Sequence, residues 1–303
     1  MKYVLETKEL TKTYRKIPVV NKVNLHVCQG DIYGLIGKNG AGKTTLMKMV
    51  CGLTAPSFGE YELFESHDVN EERKRIGCMI EQPALYPDIT ARDNLIYYNK
   101  LMGIRNNSNI DEILELVGLV DAQKKKTKQF SLGMKQRLSI AIALLGYPDF
   151  LILDEPINGL DPIGIKEIRE LILRLNKERN ITIMISSHIL GELSKVATRY
   201  GVLETGNLVQ EFTNEELEQR CKSCIQIETV DTKKAVYVLE EIIHSKDYKV
   251  VDNKMILVYD HLDEIRNINE QLVLHGAVVE KIDLAGQDLE MYFMELMGGR
   301  AHV

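Results

Sequence analysis

A chain of 303 residues, 45% of them hydrophobic, is long enough for one large α/β domain plus a small second one. Its formal net charge of −6 argues against general nucleic-acid affinity, which needs basic patches to neutralise phosphates. No segment approaches the ~20 apolar residues that span a bilayer, so direct membrane insertion is not expected. The longest apolar run, Leu138 to Leu145, is far too short. Residues 1–8 lack an apolar core of signal-peptide length, which points to the cytoplasm. Lys124-Lys125-Lys126-Thr127-Lys128 is the one basic cluster and reads as solvated surface. Five cysteines, an odd number, suit free thiols. Cys221 and Cys224 have C-x-x-C spacing, but no second Cys or His pair accompanies them to make a metal site.

In chain order, residues 3–36 read as three strands, with Lys22 to Val27 alternating clearly. The last, Asp31 to Ile36, is apolar enough for a buried strand and runs into Gly37-Lys38-Asn39-Gly40-Ala41-Gly42-Lys43-Thr44. That octet matches G-x-x-x-x-G-K-[ST], a phosphate-binding loop, and Thr45 to Val50 reads as the helix behind it. The glycines let the backbone fold around an anion, with N–H groups and the helix N-terminus aimed at it. Lys43 is then placed to reach β- and γ-phosphates, and the Thr44 hydroxyl to ligate Mg²⁺. Gly59 to Leu63 and Arg75 to Ile80 read as further strands. From Thr90 to about Val117 the pattern is helical, broken near Gly103 and Asn106-Asn107, with Thr90 as cap and Asp93 in an acidic first turn.

A helix is expected over Ser131 to Leu145. Phe150-Leu151-Ile152-Leu153 then forms a short apolar run ending in Asp154-Glu155-Pro156. Ligands gather at the carboxyl ends of such parallel strands. Asp154 would hold Mg²⁺ as the partner of Thr44, while Glu155 would face the attacking water. Helices over 162–178 and 189–197 alternate with a strand over 181–186, which argues for a parallel sheet wrapped by helices. From about Thr213 the character changes. A polar helix over 213–220 precedes a β-α-β-β-α-β order plus a final helix, the pattern of a ferredoxin-like split βαβ. The expected division is a nucleotide-binding domain over 1–220, with a helical subdomain about 88–146, and an accessory α+β domain over 221–303. The accessory domain has no Gly-rich loop or acidic cluster; it is a structural or dimer-supporting appendage, or a regulatory or partner-docking one.

Phe130-Ser131-Leu132-Gly133-Met134-Lys135-Gln136-Arg137-Leu138 resembles the signature motif of ABC-type ATPases. Other markers follow that family's order. Gln82 resembles the Q-loop residue, Asn158-Gly159-Leu160-Asp161 the D-loop, His188 in Ser186-Ser187-His188 the switch histidine, and Tyr14 the adenine-stacking aromatic. The resemblance covers roughly residues 2–220. It implies a P-loop NTPase fold with an N-terminal antiparallel β subdomain and a helical signature subdomain. It further implies ATP held by Tyr14 and by Gly37 through Thr44, with Thr45 behind them. Mg²⁺ would lie among Thr44, Gln82 and Asp154, and hydrolysis would be carried by Glu155, His188, Gln82 and Lys43. Ser131 and Gly133 would cap the γ-phosphate bound by the opposite subunit, and Asp161 would reach across the interface. One phosphate loop and one signature therefore require a second ATP-binding subunit, which can be another copy of this chain.

Leu132 and Met134 depart from the commoner Leu-Ser-Gly-Gly-Gln form, although the Ser and Gly that touch phosphate stay. Ile157 replaces a more usual small hydroxyl residue and is expected at the dimer interface. The signature form and the extra C-terminal domain resemble the ATPases of bacterial peptide-antibiotic exporters, in bacitracin-resistance and lantibiotic-immunity systems. That implies an energy-coupling subunit at the inner face of the cell membrane, docked on separate polytopic membrane subunits. The loop of Gln82, Pro83, Leu85 and Tyr86 is either the docking face or local packing. The alternative is a soluble non-transport ABC ATPase. Ribosome-associated members normally carry two ATPase domains, and DNA-maintenance members a long coiled coil that the stretch between Thr44 and Ser131 lacks.

Overall fold

A computed structural model of the protein describes residues 2–81, 85–221 and 223–285, together with 292, 293 and 296. β1 (Tyr3–Tyr14) turns through Arg15 and Lys16 into β2 (Ile17–Val23), and β3 (His26–Cys28) continues antiparallel along the start of β1. The single strand expected over Lys22–Val27 is thus broken. Glu9 and Lys22 take φ of 47° and 48°, and the register of β1 with β2 shifts beside Lys22 just before β2 ends. The Thr7 hydroxyl spans the break, donating to Val23 O at 2.9 Å and accepting from Leu25 N at 2.8 Å. With β4 (Ile32–Ile36), the first 36 residues hold four strands rather than three. After α1 (Lys43–Val50), β5 (Phe58–Leu63) returns to pair with β1 and completes the antiparallel β subdomain.

A short α2 (Val69–Glu72) leads into β6 (Ile76–Met79), and the helical subdomain follows. Its helices are α3 (Ala91–Leu101), α4 (Asn109–Leu116) and α5 (Leu132–Leu144). The cap expected at Thr90 is present, Thr90 Oγ1 accepting from Asp93 N, and Ser131 Oγ accepts from Met134 N to cap α5. β7 (Phe150–Asp154), α6 (Pro162–Arg179) and β8 (Thr182–Ser187) complete the alternation. α7 (Leu190–Leu193) is shorter than the helix expected over 189–197. Beyond Ser194 the chain turns so that Val196 and Ala197 bury and Thr198 N reaches Ile32 O at 2.9 Å. That turn delivers a hairpin the pattern did not give, β9 (Arg199–Glu204) and β10 (Asn207–Thr213).

The core sheet runs β10-β9-β4-β8-β7-β6, parallel from β9 to β6. β4, β7 and β8 are buried along their whole length, as strands covered on both faces must be. Beneath the sheet, Glu211 ties three strands together. It accepts from His26 N at 3.0 Å and from the Tyr33 hydroxyl at 2.8 Å, and its second oxygen lies 2.9 Å from His26 Nδ1. Burial, and then the Glu211 carboxylate, push the Tyr33 phenol well above its ordinary value.

After Asn214 the chain passes into a second compact unit. α8 (Asn214–Arg220) precedes β11 (Cys224–Thr229), α9 (Thr232–Glu241), β12 (Tyr248–Val250), β13 (Met255–Val258), α10 (Ile265–Leu274) and β14 (Val279–Ala285). The sheet order is β12-β13-β11-β14, antiparallel throughout. This is the ferredoxin-like split βαβ. Ile225, Ile227, Ile256 and Val258 face Val238, Leu239, Ile268 and Leu272 of the two helices in one apolar core. Residues 292 and 293 are helical, but most of the expected final helix lies outside the described residues.

Candidate functional site

Three neighbouring strands end at one place. β8 lies between β4 and β7 in the sheet, with Ile36 paired to Ser187 and Asp154 to Ser186. The phosphate loop, the Asp154-Glu155 pair and His188 therefore all emerge at the carboxyl edge of the sheet, where a ligand crevice forms.

Gly42 shows why the loop is glycine-rich. Its φ is 105°, and a Cβ there would stand 2.5 Å from Val19 O, so a side chain is refused by both conformation and space. Gly42 is also the N-cap of α1, and it offers no side-chain cap; the first turn of α1 carries no acid. By contrast, Thr90, Ser131, Asp161 and Asp231 cap α3, α5, α6 and α9 with side-chain oxygens. The N–H donors and positive dipole end of α1 are thus left for an external anion.

Lys43, the first residue of α1, is 5% exposed. Its ammonium folds back over the loop, donating to Gly37 O at 2.6 Å and Lys38 O at 3.4 Å. It also stands 3.2 Å from Glu155 Oε1. That contact is an ion pair without hydrogen-bond alignment, and Glu155 Oε1 is buried with no hydrogen-bond partner among the described residues. The other oxygen, Oε2, lies 2.8 Å from His188 Nδ1. Glu155 itself has φ of 48°, a left-handed conformation uncommon for a residue with a side chain. Such a conformation directly after a buried strand costs energy that the surrounding contacts must hold in place.

Next to it, Asp154 is buried and its two oxygens are separately engaged. Oδ2 accepts from the Thr44 hydroxyl at 2.7 Å, and Oδ1 from the Ser186 hydroxyl at 2.6 Å. A hydroxyl and a carboxylate at the mouth of a phosphate loop are hard oxygen donors, a set that fits Mg²⁺.

The other expected residues are dispersed around this centre. Tyr14 ends β1 and is 49% exposed, with Lys12 Nζ 5.2 Å from its ring centroid. Ser131 and Gly133 open α5, and Asp161 caps α6 by accepting from Gly164 N at 2.9 Å. Gln82 and Pro83 lie outside the described residues. Of the loop around them, Leu85 is half-buried and Tyr86 is exposed, its ring meeting Tyr97 edge-on at 4.5 Å between centroids. Ile157 is buried within its own chain, sharing a groove with Ile165, Ile172 and Ile185. Ser186 is the residue that sequence reading passed over as a neighbour of His188. The one signal was a hydroxyl in a strand whose preceding residues, Ile183-Met184-Ile185, are all apolar.

A phosphate loop and an Asp-Glu pair at the carboxyl ends of two parallel strands, with a third strand between them, define a P-loop ATPase. The family model for the ABC transporter matches residues 20–158. Over 99% of both chains the protein is 45% identical to the bacitracin transport ATP-binding protein BcrA of Bacillus licheniformis. It is 44% identical to the lantibiotic transport ATP-binding protein SrtF of Streptococcus pyogenes, over 69% of this chain and 90% of that one. Among solved structures, the ATP-binding cassette MJ0796, a dimer bound to ADP and Pi in a post-hydrolysis state, is similar with a TM-score of 0.61. It is 26% identical and covers 69% of this chain and 98% of its own. The chain belongs to the ATP-binding proteins of ABC transporters, and it binds and hydrolyses ATP. No helix among the described residues is long and apolar enough to cross a membrane.

Proposed function

We propose that this chain drives export of a peptide antibiotic or similar amphiphile through separate membrane subunits, with ATP hydrolysed at sites shared between two ATP-binding subunits. The full-length likeness to a bacitracin transport ATP-binding protein supports the cargo class. The observation that carries the hydrolytic assignment is Glu155: a carboxylate in a left-handed turn, between Lys43 and His188, with one buried oxygen that makes no hydrogen bond among the described residues.

These contacts support the roles of Lys43, Thr44, Asp154, Glu155 and His188, and the family's marker motifs support those of the other residues. The loop N–H groups and Lys43 hold the β- and γ-phosphates, the phosphates taking over the Lys43 bonds now made to Gly37 O and Lys38 O. Thr44 and Asp154, with Gln82, hold Mg²⁺, which when bound neutralises charge on the phosphate oxygens. Glu155 orients the attacking water and takes its proton, a contribution on the order of 10²–10⁴-fold. His188, 2.8 Å away, fixes the Glu155 rotamer. Tyr14 stacks on adenine. Ser131, Gly133 and Asp161 act on the nucleotide of the facing subunit, so each site is completed only in the dimer. Phosphoryl transfer to water needs little covalent chemistry from the protein, and this constellation supplies position and field.

The test is protection in cells. Bacteria carrying this chain with its membrane subunits are expected to survive a bacitracin-type peptide, and Glu155→Gln is expected to abolish that survival at unchanged protein level. Undiminished survival with Glu155→Gln would refute the coupling.

A further inference from the structure

We propose that Ser186 is a positioning residue for hydrolysis, whose hydroxyl locks the Asp154 side chain to the backbone of Glu155 so that both carboxylates meet the nucleotide as one rigid unit. The proposal deepens, and rests on, the reading of Asp154 and Glu155 given above.

Ser186 lies on the central strand β8, directly opposite Asp154 on β7, and is fully buried. Its oxygen accepts from Glu155 N at 2.8 Å and its proton goes to Asp154 Oδ1 at 2.6 Å. The directions are fixed by chemistry: an amide N–H can only donate and a carboxylate only accept, so the hydroxyl is the one group that satisfies both. The Thr44 hydroxyl holds the other Asp154 oxygen at 2.7 Å. The carboxylate is thereby gripped from both sides, one hydroxyl coming from the phosphate loop and the other from the strand beside it. At the same time the bond to Glu155 N pins a residue whose φ of 48° is not one a side-chain-bearing residue prefers.

The chemistry of the position supports the assignment. A fully buried site in a central parallel strand is ordinarily filled by a branched apolar residue, and a buried hydroxyl is costly unless its partners are in place. Here both partners are site carboxylate residues. Ser187 performs a separate task, accepting from Ile189 N at 2.9 Å to shape the turn that carries His188. Removing the Ser186 hydroxyl leaves the phosphate loop untouched. The expected defect is therefore in hydrolysis and in the Mg²⁺ requirement, and not in nucleotide affinity without metal.

The experiment compares wild type, Ser186→Ala and Ser186→Thr. Its readouts are turnover, ATP affinity in EDTA, and the Mg²⁺ concentration that half-saturates the ATP-induced rise in melting temperature. Ser186→Ala is expected to lose about tenfold or more in turnover, since small misplacements of a catalytic group carry penalties of that order. It is also expected to need several-fold more Mg²⁺, with ATP affinity in EDTA unchanged. Ser186→Thr keeps the hydroxyl and is expected to restore both. Wild-type turnover and Mg²⁺ dependence in Ser186→Ala would overturn the proposal. So would a loss that Ser186→Thr fails to restore, or one accompanied by an equal fall in ATP affinity in EDTA, either of which would leave Ser186 a residue of the fold only. Asp154→Asn and Glu155→Gln run alongside. If they retain turnover, the reading of those carboxylates fails whatever Ser186 does; if they are inert and Ser186→Ala is normal, this proposal fails alone.

Discussion

Lys43, Glu155 and His188 meet through two contacts of 3.2 and 2.8 Å, although well over a hundred positions separate the first from the other two. Lys43 was legible as a phosphate ligand because its octet has a mechanism written into it, and Asp154 and Glu155 because an apolar strand ends in them. The Ser186 bridge was not legible, since a serine in a strand has no pattern of its own; only the pairing of β7 with β8 gives it partners. Lys43→Ala is expected to abolish ATP binding, read by equilibrium dialysis, whereas Glu155→Gln keeps it. The cysteines give a second expectation at this scale. Cys78 is exposed and its thiol is pulled down by a hydrogen bond with Cys51, while that contact and burial push Cys51 up. Burial also raises the thiols of Cys28 and Cys224. Thiolate is the nucleophile, so mass mapping after brief iodoacetamide treatment of the native chain should find Cys78 labelled first. Faster labelling of Cys28 or Cys224 would contradict the assignment.

Among elements, those with a strong period or cap were readable, and those defined by long-range pairing were not. The cap at Thr90 sits where sequence placed it, since a cap is a local bond between residues three apart. The hairpin of β9 and β10 was missed because β10 carries mixed burial and β9 is fixed by its long-range pairing with β4. The strand expected over Lys22–Val27 alternates in sequence, but the register with β1 shifts beside Lys22 and the pairing passes from β2 to β3. β6 illustrates how tightly elements meet. A Cβ on Gly77 would overlap the carbonyl of Ala143 in α5, so Gly77→Ala must push the signature helix off the strand that leads to Gln82. Overpacking of this kind costs about 1–3 kcal/mol, expected as a lower urea midpoint of the first unit; an unchanged midpoint would show that the helix yields freely.

At the scale of the whole molecule, the chain divides into two compact units, each with its own apolar core. In the second, burial alone would push the Asp260 carboxyl up. The Ser245 hydroxyl at 2.6 Å and the Lys246 and Asp247 N–H groups at 2.8 and 3.2 Å outweigh it, and the carboxyl is held below its ordinary value. A carboxyl lowered by folding contributes stability that is complete above its unfolded value of about 3.9 and is lost as pH falls through the lower folded value. Asp260→Ala is therefore expected to weaken amide-exchange protection at Ile225 and Ile227 at pH 7, with the difference from wild type shrinking once pH falls below the folded value. A difference that does not shrink would mean the bonds act without the charge.

The first unit holds one phosphate loop and one signature helix, which in the proposed mechanism complete each other across two subunits. The most direct measurement is the mass of the Glu155→Gln chain in solution with ATP and Mg²⁺, by light scattering, beside turnover of the wild type. A site completed across two subunits requires an ATP-dependent dimer of the variant and turnover by the wild type that rises with protein concentration. A variant that binds ATP yet stays monomeric, beside a wild-type monomer that hydrolyses ATP at a rate independent of concentration, would contradict it.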